Sequence, residues 1–272
     1  MSSLNCTVLT AARPTSWSAR PTASEVGLGC AASAAPDDAV ELTPPAFIAP
    51  GVVELKFGVS EDRVGELVVW LARRTEADPH SDTDGWYEVE STYLDTEELS
   101  VFHRRPGYRK SKYRVRRYGV SGPRYIEQKK KTAGLVFKRR AQLETGTGGI
   151  TWAASSDTVW FLNRVQERSL QPQTVVWYRR FARTAVSLDM PFRITVDRQL
   201  QSARASGFDL SAVAPPNRGC NSGAVLEIKF RDALPQLAKQ LLAEFDLRPA
   251  TASKYRSSVI ASLGVAEEPD HA

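Results

Sequence analysis

Along most of the chain, apolar and polar positions alternate with period two, as they do in strands that bury one face. In VELKF, Val53–Phe57, the side chains of Leu55 and Phe57 point one way and those of Glu54 and Lys56 the other. LEIKF, Leu226–Phe230, repeats the arrangement, with Glu227 and Lys229 opposite Leu226, Ile228 and Phe230. Similar alternation, in segments rich in β-branched and aromatic residues, predicts strands at WYEVESTYLDT, KYRVRRYGV, RYIEQKKKT, LVFKRRAQLE, TVVWYRRFARTAV and FRITVDRQL. Helical spacing takes over elsewhere. Ser60 reads as the N-cap of a helix reaching about Arg74, and a second helix covers about Asp157–Arg168. Leu234, Leu237, Leu241, Leu242 and Phe245 mark a helix over Ala233–Phe245, and SKYRSSVIASL reads as a closing helix. TEADPHSDTDG is a polar loop. About eight strands with few helices and no βαβ alternation predict an α+β fold on an antiparallel sheet or barrel.

Composition adds limits. The chain has 272 residues, 42% of them hydrophobic, enough to bury a substantial core. Its apolar runs fall short of the ~18–20 residues that span a bilayer, so no stable membrane insertion is expected. Residues 1–45 are rich in Ala, Ser, Thr and Pro without sustained periodicity. They read as a disordered leader to a domain over 46–265, with a short disordered tail at 266–272. Cys6, Cys30 and Cys220 are widely spaced and odd in number, which fits neither a disulfide framework nor a zinc site. That usage suits a reducing, cytoplasmic setting. With only three histidines, a histidine-rich metal site is not expected.

The distribution of charge changes the picture more than its total of +5. Between Val101 and Arg140 stand fifteen Lys or Arg residues and one acid, Glu127. By strand parity Lys112, Arg114, Arg116 and Tyr118 share a face, as do Tyr125, Glu127, Lys129 and Lys131. Tyr178 and Arg180 line up, and so do Arg193, Thr195 and Asp197. A sheet wetted on one face normally mixes both signs with short polar residues. Here the polar face is basic in strand after strand. If eight such strands close with these faces inward, the interior is a basic tunnel. Uncompensated buried cations are costly, so such a tunnel calls for a strongly anionic occupant.

The ordered series KYRVRRYG, IEQKKKT, VFKRRA, YRRFA, RITVD, LEIKF and SKY resembles the VTC domain, the polyphosphate polymerase module of the triphosphate tunnel (CYTH-like) superfamily. The resemblance spans roughly Phe47–Leu263. It implies an eight-stranded antiparallel tunnel that binds ATP or triphosphate with Mn²⁺ or Mg²⁺ and moves the terminal phosphate onto a polyphosphate chain. Carried over by position, it implies phosphate-handling roles for Lys56, Arg114, Arg116, Lys129, Lys138, Arg180 and Lys254. Tyr178, Arg193, Ser253, Lys131 and Lys229 would help bind substrate. Glu227 would hold the metal, with Glu54 and Glu127 as further candidates or as partners for tunnel lysines.

One departure carries weight. Hydrolytic and cyclase branches of that superfamily start with glutamate-x-glutamate-x-lysine, and here Val52 stands at the first of those positions. The chain also looks like the stand-alone bacterial form, without the sensor domain and membrane segment of the eukaryotic enzymes. Three other readings remain: a triphosphate hydrolase, a polyanion-binding module without catalysis, and nucleic-acid binding through the 101–140 block with its interleaved Tyr108, Tyr113, Tyr118 and Tyr125. No P-loop GxxxxGK[ST] and no Ser-His-Asp arrangement stands out. Arg117 and Arg139 point away from the tunnel by parity. RRPGYRK reads as a solvated loop. Trp70, Trp152 and Trp160 read as helix packing residues, His103 as structural or exposed, and Cys220 as inert.

Overall fold

The structure, a computed structural model, describes residues 49–78, 81–119, 121–146, 149–151, 155–187, 190–208, 223–250 and 253–266. The expected leader, most of the expected tail, Trp152 and Cys220 lie outside the described residues.

The strands are β1 (Ala49–Ser60), β2 (Glu76–Ala77), β3 (Trp86–Asp95), β4 (Ser111–Tyr118), β5 (Arg124–Thr132), β6 (Leu135–Gly146), β7 (Gly149–Thr151), β8 (Gln171–Ser187), β9 (Met190–Arg204) and β10 (Gly223–Phe230). The helices are α1 (Glu61–Ala72), α2 (Ser156–Glu167), α3 (Gln236–Glu244) and α4 (Lys254–Leu263). Pairing runs β1-β10-β9-β8-β3-β4-β5-β6, and β1 also pairs β6, so eight antiparallel strands close into a barrel. β2 adds to β8 within the segment expected to be only a loop, and β7 adds to β6. Closure leaves the barrel without a free edge, so its backbone polar groups are paired internally.

Local chemistry explains the joints. β5 and β6 meet at a two-residue turn, Ala133-Gly134, with both φ positive (49° and 78°). That is the primed turn whose twist matches the flanking strands, and Gly134 takes up its positive φ without strain. α2 starts at Ser155, whose hydroxyl accepts from the Thr158 amide at 3.2 Å. α4 starts at Ser253, whose hydroxyl accepts from the Arg256 amide at 3.3 Å. Ser60 does sit at the N-cap of α1 but makes no side-chain cap bond. α1 ends at Ala72, two residues before the expected stop.

Because the barrel interior is charged, the apolar packing lies largely outside it. Phe57, Leu226, Ile228, Phe230, Ile194 and Val196 form one core with α1 and α3. Trp70 belongs to it and donates from Nε1 to Glu244 of α3 at 2.6 Å. A second core joins Val115, Ile126 and Leu143 to Phe102, Phe161 of α2 and Val259 of α4. His103 sits beside it, edge-on to Phe102 with ring centroids 5.0 Å apart. No helix among the described residues is long and apolar enough to cross a membrane.

α4 is fixed by one buried anion. Asp95 ends β3 fully buried and accepts from the amides of Thr96 (2.7 Å), Val101 (2.7 Å) and Phe102 (2.9 Å). The Tyr255 hydroxyl donates to its other side, locking the first turn of α4 to the barrel. A Tyr255→Phe substitution deletes that donor and leaves the carboxylate under-solvated. It should cost about 1–3 kcal/mol, read as a lower urea midpoint with an unchanged m-value; an unchanged midpoint would contradict this role for the hydroxyl.

Candidate active site: a basic tunnel

The inward faces meet around a cavity of about 290 Å³. Six lysines, five arginines and two glutamates line it. β4 contributes Lys112, Arg114 and Arg116, while β6 contributes Lys138 and Arg140. The alternation that makes each strand amphipathic is therefore what fills the tunnel with charge.

VELKF and LEIKF lie side by side and antiparallel, with Glu54 opposite Lys229 and Lys56 opposite Glu227. Reversing one glutamate-x-lysine strand against another puts acid across from base at both positions. Lys56 Nζ stands 3.5 Å from Glu54 and 3.4 Å from Glu227. Lys229 Nζ donates to Glu227 at 2.7 Å. Lys129 Nζ reaches both oxygens of Glu54, at 2.7 and 2.9 Å. Lys254, from α4, binds Glu227 at 3.0 Å and Asp197 at 2.6 Å. Asp197 in turn takes a bidentate grip from Arg180 at 2.6 and 2.8 Å.

Glu127 anchors a second cluster. Arg114 reaches it at 2.5 Å, Lys138 at 2.5 Å, Arg140 at 3.5 Å and Arg116 at 4.0 Å. Arg116 also donates to Ser91 at 2.8 Å, and Arg114 to the Tyr93 hydroxyl at 3.1 Å. Burial opposes ionisation of Glu127 and Glu227, yet the surrounding cations hold both carboxyls well below the usual range. Burial likewise pushes Glu54 up, but Lys229, with Lys129 and Lys56, pulls it down to about 2.

The cavity thus gathers nearly all of the expected residues: Glu54, Lys56, Arg114, Arg116, Lys129, Lys138, Tyr178, Arg180, Arg193, Glu227, Lys229, Ser253 and Lys254. Lys131 and Glu127 are the exceptions. Lys131 has the inward parity and pairs with Val136 of the lining, but its side chain is exposed and lies outside the cavity lining. Glu127 lies just behind the lining, and four cationic side chains within 4.0 Å make its surroundings poorly suited to a metal ion. Among the described residues no group of three or more His, Cys, Asp or Glu is placed to hold a metal. Glu54 and Glu227 flank Lys56, and each has three lysines within 3.8 Å. They suit a metal only in the mode where one or two carboxylates are completed by substrate phosphates, with those phosphates drawing the lysines away.

Several participants were missed. Lys112 and Arg140 line the cavity, and parity with Arg114 and Lys138 could have found both. Asp197 was on the right face, but its partners Arg180 and Lys254 come from other elements. Tyr93, Tyr118 and Tyr255 complete the walls; parity had placed Tyr118 on this face, while Tyr93 and Tyr255 had no distinguishing signal. Arg117 and Arg139 do point away, pairing with Glu90 and with Asp157. The tyrosines of the 101–140 block are not open platforms. Tyr113 is buried, Arg140 covers Tyr125 at 3.5 Å, and Arg168 stands over Tyr108 at 5.3 Å.

Among the described residues no carboxylate contacts Lys112; its Nζ donates to Ser253 Oγ at 2.9 Å. Burial, then Lys56 and Lys129, pull it from 10.5 down to about 7. Burial also brings Lys129 and Lys138 down to about 8, despite their acid partners. Between these folded values and 10.5 the unfolded chain binds more protons, so stability rises with pH across that window and is lost as pH falls through about 8 to 7. Tyr118 acts in the same direction: burial pushes it up, but Arg116 leads the cations that bring it down to about 7. The ligand-free protein should therefore melt at a higher temperature at pH 9 than at pH 7 in low salt. Lys112→Met should flatten the slope; a melting temperature that falls from pH 7 to 9 would contradict the lysine shifts.

Comparisons with known proteins give the following. None of the curated proteins matches the chain. Among solved structures it is similar to a candidate adenylate cyclase from Bacillus halodurans, at 11% identity over 75% of this chain and 96% of that one, TM-score 0.43. It is similar to the PH1819 protein of Pyrococcus horikoshii, at 11% identity over 75% and 96%, TM-score 0.45. It is also similar to a candidate adenylyl cyclase from Hippeastrum described as having a dominant triphosphatase activity, at 12% identity over 78% and 97%, TM-score 0.45. The family model for the VTC domain matches residues 52–263, nearly the whole barrel with its closing helix. The chain belongs to the VTC domain family.

Proposed function

We propose that the tunnel binds a triphosphate, ATP in the first instance, and transfers its terminal phosphoryl group to a polyphosphate chain. The observation that carries the reading is the charge imbalance inside a closed wall. Eleven cations line the cavity, against two glutamates in the lining and Glu127 and Asp197 in contact behind it. The surplus suits an occupant with several negative charges, and a row of phosphates supplies them in a line.

Phosphoryl transfer has a loose transition state, so positioning and charge stabilisation dominate. In this reading Arg114, Arg116 and Arg180 present planar forks to phosphate oxygens, and Lys56, Lys129, Lys138 and Lys254 give point charges. Ser253 already accepts from Lys112 and the Arg256 amide, which leaves its hydroxyl proton for an oxygen of the substrate. Tyr178, Arg193 and Lys229 complete the lining. A terminal oxygen of the acceptor chain attacks the γ-phosphorus, the bond to the β–γ bridging oxygen breaks, and ADP leaves. A divalent ion, Mn²⁺ or Mg²⁺, held by Glu227 with Glu54, would neutralise charge on phosphate oxygens. Before substrate arrives, the acids hold the lysines apart from one another; substrate phosphates then compete for the same cations.

Val52 lines the tunnel at the place where hydrolytic relatives are expected to carry another carboxylate. Its apolar side chain supports transfer to a chain over transfer to water.

Purified protein with ATP, Mn²⁺ and a short polyphosphate primer should lengthen the primer and form ADP, seen on gels and by ³¹P NMR. Phosphate release without extension would make it a hydrolase. Glu227→Gln should lower turnover about 100-fold or more while tripolyphosphate still binds; a module without catalysis would show no turnover to lose. Arg114→Ala with Arg116→Ala removes two charge-assisted contacts worth about 1.5–3 kcal/mol each. It should weaken tripolyphosphate binding at least 100-fold by calorimetry with the melting curve still cooperative; unfolding of that variant would assign the pair a structural role instead.

A further inference from the structure

The outer wall of β4, β5 and β6 carries a second basic surface, which shares only Lys138 with the tunnel lining among the described residues. The outward side chains alternate with the tunnel cations: Lys130 between Lys129 and Lys131, and Arg139 between Lys138 and Arg140. α2 and the loop before β4 bank this wall and enclose a groove of about 860 Å³. The loop is the RRPGYRK segment, and it is docked: Arg168 donates to the Gly107 carbonyl at 2.7 Å, and the Tyr108 hydroxyl to the Arg168 carbonyl at 3.2 Å.

Seven cations line the groove: Arg168 holds the loop, Lys138 turns to Glu127, and the other five fall into two sets. Arg139 is paired with Asp157 at 2.9 Å, and Arg164 with Glu167 at 2.7 Å. Arg109, Lys110 and Lys130 are exposed and have no carboxylate partner among the described residues. The groove and the tunnel lie at the same end of the barrel. Register aligns Lys112 with Lys129 and Lys129 with Lys138 inside, and Ser111 with Lys130 and Lys130 with Phe137 outside. Lys131 sits on the rim between the two, and its amide donates to the Lys110 carbonyl at 2.8 Å. The run Lys129-Lys130-Lys131 therefore puts one cation in the tunnel, one in the groove and one on the edge that separates them.

We propose that this groove binds an inorganic polyphosphate chain that continues from the tunnel over the β5 rim. The inference rests on the phosphate reading of the tunnel. Nucleic acid is the poorer occupant because, of the three rings that line the groove, only the half-buried Phe137 is left for stacking. Arg139 covers Trp160 at 3.7 Å, and Tyr113 is buried with its hydroxyl bonded to Gln128. What the groove does offer is a row of exposed point charges, which a phosphate chain uses without needing bases.

The test is an Arg109→Ala/Lys110→Ala/Lys130→Ala variant of the full chain, with retained melting temperature as the control for folding. Calorimetry with tripolyphosphate reads the tunnel, and with polyphosphate several tens of units long reads tunnel and groove together. Tripolyphosphate affinity should be unchanged, while long-chain affinity falls about tenfold with a shallower dependence on salt. An Arg109→Lys/Lys110→Arg/Lys130→Arg variant should retain long-chain binding. Equal long-chain affinity in the alanine variant and the parent would overturn the proposal. So would oligothymidylate of equal charge that binds as tightly and displaces the long chain. Failure of the parent to bind tripolyphosphate would overturn the tunnel reading instead, and the loss of long-chain binding in the variant would still report on the groove.

Discussion

A closed barrel wall around a surplus of positive charge is the constraint on which the rest of this structure depends. Charges of one sign cannot be brought together in a poorly hydrated space without compensation. The protein meets the constraint with a few carboxylates, each shared among several cations. Glu227 serves Lys56, Lys229 and Lys254, and Glu127 serves Arg114 and Lys138. Among the described residues Lys112 has the Ser253 hydroxyl and the Tyr255 ring but no carboxylate, and burial holds its ammonium below the usual lysine range. Such networks contribute little net stability. Their value lies in an interior poised for an anion.

The same constraint moves the apolar cores. An ordinary small barrel fills its interior with aliphatic side chains. Here the interior is polar, so helices α1, α2 and α3 pack on the outer faces and supply the burial that the lumen does not. α4 has a different task. It brings Ser253, Lys254 and Tyr255 to the tunnel, and the Asp95 carboxylate holds it there. A buried acid outside the cavity lining thus sets the position of three cavity-lining residues.

Much of this was legible in the sequence because period-two alternation encodes which side chains share a face. VELKF and LEIKF displayed their inward Glu and Lys, and Arg117 and Arg139 were rightly set outside. Alternation fixes parity but says nothing about where a wall ends, which is why Lys131 reads as a tunnel residue and lies on the rim. Nor does it reveal which strands are neighbours. The double duty of Glu54, facing Lys229 on β10 and gripped by Lys129 of β5, depends on ring closure that no local pattern specifies. Parity put Lys112 on the tunnel face without giving it a role in the site, and Arg140, visible by the same rule, was overlooked. Asp197 needed knowledge of partners on β8 and α4. RRPGYRK had the composition of a solvated loop and is exposed except at Tyr108; its tethers to the distant Arg168 and Lys131 had no local signal.

The pairing of β1 with β10 bears on how the chain comes to be made. The ring closes between residues near opposite ends of the domain, Val53 with Phe230 at one end of that ladder. During synthesis β1 emerges early and waits for its partner until almost the whole domain has left the ribosome. Pairing at such long sequence separation is slow, and an open sheet edge is the usual seed for aggregation. Lys129, Lys138 and Arg140 then stand on the basic faces of β5 and β6 before the ring has closed, where the same strands from other chains would bring like charges together. The residues that give the finished tunnel its chemistry would also keep the unfinished one apart from its neighbours.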